Sequence, residues 1–480
     1  MPLIFGDDKM AVFSIVKLSE TSNYHRIDAE FYHPEYLKNK RRLTNLKIPL
    51  YSLKQISDYI TNGHTPRYAD LTVGEVHFLT AEDVLDFIIN FETSKRITKE
   101  DSYKVLRRTI LKENDLLITI KGKIGNAAVV YKLEGETNIN QDVARIIIKK
   151  SIDKKKINPY FIATFINSKF GRLQVDQIAT SQINPFLGLG NLKQIVIPLL
   201  DEKFQDKIEG VLKKALELFY YSNIIFSQAE NLLLEELELK DFKPKYEKTY
   251  TAKLSDALSV HRIDAEYFQP AYEEVIRKIG DMTELKPLGK LANRIKLKIK
   301  PEYNKLYRYI EINNVSIDIG EINYTERLGK DLPPNAKIPV KGGELIISKV
   351  RPTRGAIGII PYSLGENLIC SSAFSVFNVN SPLKEYLYVT TRSVIGRLQL
   401  EKPTKGTSYP TIEDLDVEKL QIPLLPFSTQ QKIASLIQKS HEARKKAKEL
   451  LNVAKKAAEI AIEKNEEEAL DYISKSIKKS

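Results

Sequence analysis

Two short loops of the sequence carry side chains suited to contact with nucleic acid. They span residues 121–126 (KGKIGN) and 349–355 (KVRPTRG). Lysine and arginine pair with phosphate oxygens, asparagine can hydrogen-bond to base edges, and glycine lets a backbone approach its ligand closely. We therefore expect these loops to meet phosphates and bases. For each residue taken singly, an ordinary solvated surface loop is the alternative interpretation.

The segment from Lys286 to Arg308 is strongly basic, with eight lysines and arginines against one acid, Glu302. Between Arg294 and Lys300 basic and aliphatic residues alternate (RIKLKIK). This period of two predicts a strand with four positive charges on one face, a surface that could follow a phosphate backbone. A solvated charged face is the alternative. The net charge of +12 and the pI near 9.2 also favour a polyanionic partner.

Three short motifs resemble pieces of enzymes. Residues 186–190 (FLGLG) fit a methyl-donor loop, 158–161 (NPYF) nearly fit an adenine methyltransferase motif, and 238–240 (ELK) could be half of a nuclease site. The first does not follow a buried strand, the second lacks its second proline, and the third falls at the end of a helical pattern. No Gly-x-x-x-x-Gly-Lys-Ser/Thr loop occurs. We therefore predict a protein without catalytic residues, and keep a fused methyltransferase–nuclease as an alternative.

The cysteine and histidine content argues against a metal centre. Cys370 is the only cysteine, and the six histidines never approach zinc-ligand spacing with it. His25 and His261 occupy matching positions, where we expect structural caps. The composition, 42% hydrophobic and 28% charged, is that of a globular protein. With no apolar run long enough for a membrane and no secretory signal at the start, we predict a cytoplasmic location.

The chain contains a long internal repeat. Residues 25–36 (HRIDAEFYHPEY) recur at 261–272 (HRIDAEYFQPAY), and GRLQ at 171–174 and IPLL at 197–200 recur at 396–399 and 422–425. A period above 200 residues indicates a duplicated domain, hence pseudo-twofold symmetry. Because Asp28 and Asp264 are equivalent, we interpret their motif as a structural joint, with a salt bridge that anchors each domain to the helices.

Each half divides into a β-rich part and a long helix. Short β-branched runs at 115–120, 144–148, 344–348 and 374–377 predict strands. From about Lys203 to Leu239, and again from Ser428 past Ala461, apolar residues recur at heptad spacing. Such helices must bury their apolar stripe, so we predict that they pair antiparallel, with self-association between chains as the alternative. The charge-rich stretch from Glu463 is expected to fray.

These features, in this order and repeated twice, resemble the specificity subunits of type I restriction–modification systems. The resemblance rests on 114–118 (NDLLI) and 343–347 (GELII), each followed by a basic loop, and on the IPLL exits. It also rests on 48–50 (IPL), 62–66 (NGHTP) and 76–84 (VHFLTAEDV). The chain departs from many members in having no tryptophan, and so no Pro-x-Gly-Trp opening, which leaves the subgroup open.

The resemblance implies an α+β fold with two β-rich target-recognition domains, related by pseudo-twofold symmetry and separated by two long helices in an antiparallel coiled coil. We place the domains at 1–200 and 241–426 and the helices at 201–240 and 427–480. Each domain would read one half of a bipartite site in double-stranded DNA. The helices would dock two modification (methyltransferase) subunits, and restriction (motor-nuclease) subunits would join them. The chain itself would bind no cofactor, with S-adenosylmethionine and ATP/Mg on the partner subunits.

The candidate DNA-binding residues are polar or basic and lie in the predicted loops and the basic segment. In the first domain they are Asn62, His64, Thr65, Arg67, Lys121, Lys123, Asn126, Ser181, Gln182 and Asn184. In the second they are Lys296, Lys298, Asn313, Asn314, Lys349, Arg351, Arg354, Lys405, Thr407 and Ser408.

A coiled-coil scaffold with only weak DNA binding is the rival hypothesis. A duplicated scaffold could keep both basic loops alike, whereas a reader of an asymmetric site needs them to differ. Residues 121–126 and 349–355 differ in length and in sequence, which favours the reader.

Overall fold

A computed structural model describes residues 12–19, 21, 26–67, 70–180 and 184–479 of the chain. These residues form two compact units. The first unit extends to Phe219 and also includes the residues from Lys445 onward, and the second is the continuous segment Tyr220–Arg444. Each long helix therefore contributes one part to each unit.

The elements of the first half follow in chain order. They are α1 (Pro34–Thr44), β1 (Leu50–Ser52), β2 (Ser57–Asn62), β3 (Val76–Leu79), β4 (Lys95–Ile97), α2 (Lys99–Lys104), β5 (Leu116–Thr119), β6 (Ala127–Val129), β7 (Thr137–Ile139), β8 (Val143–Ile148), β9 (Ser151–Ile152), β10 (Lys155–Lys156), α3 (Pro159–Asn167), α4 (Lys169–Ile178), α5 (Leu189–Leu192), β11 (Val196–Pro198) and the long α6 (Glu202–Glu236).

The second half repeats much of this order. Its elements are α7 (Leu254–Val260), α8 (Pro270–Met282), β12 (Leu285–Pro287), α9 (Leu288–Leu291), β13 (Asn293–Arg294), β14 (Leu306–Ile310), β15 (Thr325–Leu328), β16 (Ala336–Val340), β17 (Leu345–Ser348), β18 (Ile357–Ile359), β19 (Leu368–Ser371), β20 (Phe374–Asn378), α10 (Leu383–Arg392), α11 (Val394–Glu401), α12 (Asp414–Glu418), β21 (Gln421–Pro423), the long α13 (Phe427–Glu463) and α14 (Glu466–Lys479).

The two larger sheets of each half correspond closely, and those of the second half have one additional strand. A four-stranded antiparallel sheet has the order β2-β8-β5-β6 in the first half and β13-β20-β17-β18 in the second. A second sheet, β4-β3-β7 or β15-β14-β19-β16, contains one parallel pair in each half, β3 with β7 and β14 with β19. The four predicted strands are confirmed as β5, β8, β17 and β20, and β16 is an addition to the second half.

Local sequence explains the helix pair that packs beside each four-stranded sheet. Asn158 caps α3 by accepting the amide of Tyr160, and Pro159 occupies the first helical position, where its missing N–H costs nothing. The repeated glycines stand where the paired helices approach closely. A Cβ on Gly171 would lie 2.3 Å from the Phe165 carbonyl oxygen, and one on Gly396 2.3 Å from that of Thr391. Steric demand therefore accounts for glycine in both GRLQ motifs.

The long helices pair antiparallel within each unit. In the first unit the amide of Asp201 donates to Glu466 at 3.0 Å, while Val211 and Leu218 line a groove shared with Leu450. In the second unit the Ser440 hydroxyl donates to the Ser222 carbonyl at 2.7 Å. The predicted burial of a heptad-spaced stripe on each long helix is largely confirmed, since Ala215, Ser222 and Ala229 on α6 and Ser440, Ala454 and Ala457 on α13 are fully buried. The predicted α+β class with paired long helices is therefore confirmed.

The expectation that the chain frays after Glu463 is wrong. After a break at Lys464 and Asn465 the chain forms α14, whose Ala469 and Ile473 are fully buried. Apolar residues four positions apart give this charge-rich helix a narrow apolar stripe that it can bury. The high number of charged residues in the segment did not indicate this stripe. Among the helices of the described segments, none combines the length and apolarity needed to cross a bilayer.

The buried helix seam gives the first prediction. We expect Ala447→Asp to lower the free energy of unfolding by several kcal/mol, because it places an unpaired carboxylate where the side chain is 1% exposed. Leu218→Asp should cost less, because Leu218 is only half-buried. Chemical denaturation measures both, with Glu217→Gln on the exposed face of α6 as the control. Equal stability of Ala447→Asp and the unmodified chain would contradict the pairing.

Candidate nucleic-acid interface

In the first unit, antiparallel pairing brings the polar loops to one edge of the four-stranded sheet. Strands β2 and β5 both end where β8 begins, since Asn62 pairs with Ala144 and Thr119 with Val143. Residues 63–67, 120–126 and 140–142 therefore meet there, and the Ile120 amide donates to the Asp142 carbonyl at 2.8 Å. The loop after α4 joins them through the Leu187 amide, which donates to the Ile120 carbonyl at 2.8 Å. We call residues 62–67, 120–126 and 140–142, together with the described residues of the loop after α4 (179–180 and 184–188), edge 1.

The second unit builds the same edge from equivalent segments. Strand β17 ends where β20 begins, and the Lys349 amide donates to the Ala373 carbonyl at 2.8 Å. The loop after α11 returns alongside, so that the Arg351 amide donates to the Pro410 carbonyl at 2.7 Å. Strand β14, parallel to β19, ends on the same side and leads into the turn Ile312–Asn314. Residues 295–300, 311–314, 349–355 and 405–411 form edge 2.

Edge 1 contains the predicted residues of the first domain that lie in the described segments. His64, Arg67, Lys121, Lys123 and Asn184 are exposed. Asn62 and Thr65 are half-buried and both hydrogen-bond to Gln141: the Asn62 side-chain amide donates to the Gln141 carbonyl at 3.2 Å and the Thr65 hydroxyl to the Gln141 side-chain oxygen at 2.6 Å. Ser181 and Gln182 fall outside the described residues. Most of the predicted set therefore shares one surface.

Asn126 differs from the rest of the predicted set because it is 1% exposed. Its side-chain amide donates to the Val84 carbonyl at 3.1 Å, and its side-chain oxygen accepts from Arg172 at 3.0 Å. Both ends of the amide are therefore used inside the protein. This placement favours a structural role in the loop over contact with a base.

Edge 2 gathers the predicted residues of the second domain with unequal exposure. Lys296, Lys298, Asn313, Arg354, Lys405, Thr407 and Ser408 are exposed, and Asn314, Lys349 and Arg351 are half-buried. Arg351 has a left-handed backbone, donates to the Ser408 carbonyl at 3.2 Å and lies 4.3 Å from the ring centre of Tyr409. It therefore joins the 349–355 and 405–411 loops.

The predicted basic strand from Arg294 to Lys300 is wrong. The strand ends at Arg294, whose guanidinium pairs with Asp414 at 3.2 Å and with Glu418. Beyond it the Ile295 amide donates to the Val376 carbonyl and the Ile299 amide to the Lys337 carbonyl, both at 2.8 Å. The alternation comes from a connection whose isoleucines pack inward on either side of the exposed Leu297. Lys296, Lys298 and Lys300 remain exposed.

Asp414 neutralises part of the positive charge beside edge 2. It pairs with Lys349 at 2.8 Å and accepts from the Ser375 hydroxyl at 2.6 Å. Burial alone would raise the pKa of Asp414, but these two hydrogen bonds and the positive charges of Lys349 and Arg294 together hold the pKa below its ordinary value. The carboxylate therefore stays ionised, and Lys349 offers less free charge than the exposed Arg354 does.

Residues that were not predicted also belong to these edges. The exposed Gln141 lies between Asn62 and Thr65, and the exposed Tyr409 lies beside Arg351. Gln141 could have been found, because the polar run NINQD at 138–142 precedes a strand whose start lies beside the ends of two others. Tyr409 gives no such signal, because its neighbour Arg351 is distant in the chain.

The repeated Arg-Ile-Asp-Ala-Glu motif forms the same joint in both units. Arg26 binds both oxygens of Asp28 at 2.7 and 2.8 Å, and Arg262 binds Asp264 at 2.8 and 2.6 Å. Each guanidinium also contacts a backbone carbonyl where the edge loop begins, at Ala179 or at Pro403 and Thr404. The predicted salt bridge is confirmed, but the observed anchor is the end of α4 or α11 and not a long helix.

His25 lies outside the described residues, and His261 forms the left-handed cap of α7.

The enzyme-like motifs have structural positions. Asn158 is buried as the cap of α3 and also donates to Glu209 at 2.6 Å, and Phe186 bridges to Lys121 and Thr180 in edge 1. Glu238 follows the end of α6 in a left-handed conformation. Within the segments that the structure describes, no three histidine, cysteine or acidic side chains cluster as a metal site would require.

The joint gives the second prediction. Asp28→Ala and Asp264→Ala should each lower the free energy of unfolding at pH 7 by under about 1 kcal/mol, because both carboxylates are partly exposed, and should lower the melting temperature accordingly. The hydrogen bond from the neighbouring arginine lowers the pKa of each aspartate below its ordinary value of 3.8. This contribution is therefore present above about pH 4 and lost as the pH falls.

Thermal melts at pH 7 and pH 3 test the joint. The difference in melting temperature between each variant and the unmodified chain should be smaller at pH 3. Asp256→Ala, at an exposed position on α7, is the control. Unchanged melts of both joint variants at pH 7 would remove the structural interpretation.

Comparison with known proteins finds two curated relatives that match part of the chain. No protein-family model matches the chain. The specificity subunit of the type I restriction enzyme EcoBI from Escherichia coli is 26% identical over 220 residues, which is 46% of this chain and 41% of that protein. The HindI specificity subunit from Haemophilus influenzae is 27% identical over 138 residues, 28% of this chain and 27% of that protein. Each match thus spans less than half the length of the relative.

Among solved structures, the S subunit of a type I restriction–modification system from M. genitalium is 12% identical with a TM-score of 0.39, covering 87% of this chain and 96% of that one. The HsdS subunit from Thermoanaerobacter tengcongensis is 15% identical with a TM-score of 0.28, covering 88% and 99%. The resemblance to specificity subunits of type I restriction–modification systems, which the sequence motifs predicted, is confirmed by the two curated relatives.

Proposed function

We propose that the chain is the DNA-recognition subunit of a type I restriction–modification complex. Each β-rich domain reads one half of a bipartite site in double-stranded DNA. The chain carries no catalysis. Modification subunits dock on the long helices and methylate adenine with S-adenosylmethionine, and motor-nuclease subunits use ATP and Mg²⁺. The recognition domains span 1–200 and 241–426, and the helices 201–240 and 427–480.

One observation carries the proposal: the same sheet topology delivers basic and amide side chains to the same edge in both units. Edge 1 exposes His64, Arg67, Lys121 and Lys123, and edge 2 exposes Lys296, Lys298, Arg354 and Lys405. The loops hydrogen-bond to one another through their backbones, which leaves many of their side chains outward. A scaffold protein has no need of such an arrangement at two equivalent places.

Affinity and discrimination arise from different residues of these edges. Exposed lysines such as Lys298 neutralise phosphates, which releases counterions and makes binding depend on salt. Arginine and amide side chains on fixed loops reach base edges, where a bidentate contact distinguishes one base from another. Because the two edges differ in loop length and in side chains, the two half-sites should differ in sequence.

The division of labour gives the third prediction. Replacement of residues 286–420 by the matching region of a relative with another target should change one half of the methylated sequence. The other half should persist, because edge 1 is untouched. Sequencing methylated adenines in cells that express the complete system measures both halves. A swap that altered both halves, or neither, would contradict the bipartite proposal.

The fourth prediction separates base contacts from phosphate contacts on edge 2. Arg354→Ala should cost about 1–3 kcal/mol on the preferred duplex and loosen preference at one position. Arg351→Ala should also release the 405–411 loop, because Arg351 binds Ser408. Lys298→Ala should instead weaken all duplexes alike and flatten the salt dependence.

Binding titrations at several salt concentrations distinguish these effects. Lys330→Ala serves as the control, because Lys330 is exposed near the opposite end of β14 from edge 2. If Arg354→Ala and Lys298→Ala had the same effect on every duplex, the separation of roles would be wrong.

A further inference from the structure

In the first unit one arginine holds the basic loop of edge 1 from its inner side. Arg172, on α4, donates to the Ile124 carbonyl at 3.0 Å and to the side-chain oxygen of Asn126 at 3.0 Å. It also donates to the side chain of Asn167 at 3.3 Å and pairs with Asp86. The guanidinium therefore holds the loop at two positions, Ile124 and Asn126, while Lys121 and Lys123 of the same loop are exposed.

The loop is shaped to receive this side chain. Gly125 has a φ of +78°, and a Cβ there would lie 2.7 Å from a methyl carbon of Val175 and 3.1 Å from the guanidinium of Arg172. The Thr119 hydroxyl ties the loop's other side, donating to the Lys123 carbonyl at 2.6 Å and accepting from the Asn126 amide at 2.9 Å. The backbone of 121–126 is therefore held from both sides.

In the second unit a different arginine holds the equivalent loop. Arg392, the last residue of α10, donates to the carbonyls of Gly355 at 2.6 Å and Ile357 at 2.8 Å. Its other nitrogen donates to the Ile317 carbonyl at 2.9 Å and to that of Asp318. These contacts fix the backbone just after the exposed Arg354.

The two arginines are not equivalent positions of the repeat. The GRLQ motif aligns Arg172 with Arg397, which is exposed. The same alignment pairs Arg392 with Asn167. Asn167 holds the backbone of Ala127, the first residue of β6, with hydrogen bonds of 3.0 and 2.7 Å, and Arg392 holds Ile357, the first residue of β18. Asn167 and Arg392 therefore occupy equivalent positions and bind the first residue of the equivalent strand in the two units. The side chain that holds the basic loop is Arg172 in the first unit and Arg392 in the second, and these two positions are not equivalent.

We propose that Arg172 and Arg392 are positioning residues for sequence reading, each setting the loop conformation of its own edge. The inference rests on the proposed function for its DNA readout. Because the grips differ, each domain can hold a loop of different length on the same scaffold. Half-site preference therefore depends on these inner arginines as well as on the exposed side chains.

A selection from a library of duplexes with a randomised core, made with the full chain and its partner subunits, tests the proposal. Arg172→Ala should erase preference at one half-site and leave the other intact, with at least tenfold weaker binding to the duplex preferred by the unmodified protein. Arg392→Ala should do the same at the other half-site. Arg172→Lys and Arg392→Lys should not restore preference, because a single ammonium cannot reach all the acceptors that each guanidinium joins. Arg397→Ala is the control and should leave the preference at both half-sites unchanged.

Hydrogen–deuterium exchange provides a readout that needs no DNA. The amides of residues 122–126 should exchange at least tenfold faster in Arg172→Ala, and those of 354–357 in Arg392→Ala. If Arg172→Ala fails to fold, Asn126→Ser tests the same contact from the loop side. Unchanged exchange in folded variants would overturn the positioning role even if the unmodified chain reads DNA.

The DNA outcomes are separable from those of the proposed function. An unmodified chain that selected no sequence would defeat the proposed function, while the exchange result would still decide whether the arginines fix the loops. Rescue by lysine would assign the arginines to phosphate attraction and overturn the proposal. A single variant that lost preference at both half-sites would also overturn the proposal. So would a variant whose loop amides exchanged faster while both half-site preferences persisted.

Discussion

The candidate interface depends on a property of antiparallel sheets: each strand begins at the side of the sheet where its neighbours end. Because β8 lies between β2 and β5, its first two residues pair with the last residues of both neighbours. In the second unit the first residue of β20 pairs with the last residue of β17, whereas β13 ends opposite Phe377 and the connection from Ile295 continues along β20. Loops far apart in the sequence are thereby brought within backbone hydrogen-bonding distance of one another. Any side chain placed in those loops is offered on the same surface.

Holding such loops still requires groups that reach several acceptors at once. A guanidinium has five N–H donors in a planar fork, so one side chain can satisfy carbonyls from different segments. Arg26, Arg172, Arg262 and Arg392 all use this property on backbone or amide oxygens behind the edges. Part of the chain's basic charge therefore serves the fold, and formal net charge overstates what is available to a polyanion.

The sequence predicted the features that depend on local periodicity or repetition. The strands, the two long helices and the joint at Asp28 and Asp264 were all found this way. Predictions from the sequence failed where the cause of a local pattern lay in another part of the fold. The alternation after Arg294 comes from two isoleucines packing inward, and the buried face of α14 was hidden by its charges.

The role of the inner arginines could not be predicted from a motif. Arg172 sits in a repeated motif, but its twin Arg397 is exposed, so repetition pointed away from its role. Its acceptors, at Ile124 and Asn126, are backbone and amide groups that no motif marks. Asn126 itself was predicted as a base contact because of its residue type. Its burial follows from the arginine behind it, which only the folded arrangement shows.

The way the chain divides between the units has a consequence for synthesis on the ribosome. The second unit is one continuous segment, whereas the first needs the residues from Lys445 onward to cover its part of α6. At ~5–20 residues per second, the intervening segment takes on the order of 10–45 s to appear. Throughout that interval Val211 and Leu218 lack Leu450, with which they line a groove in the folded chain. The first unit can therefore be completed only after the whole of the second unit has been synthesised.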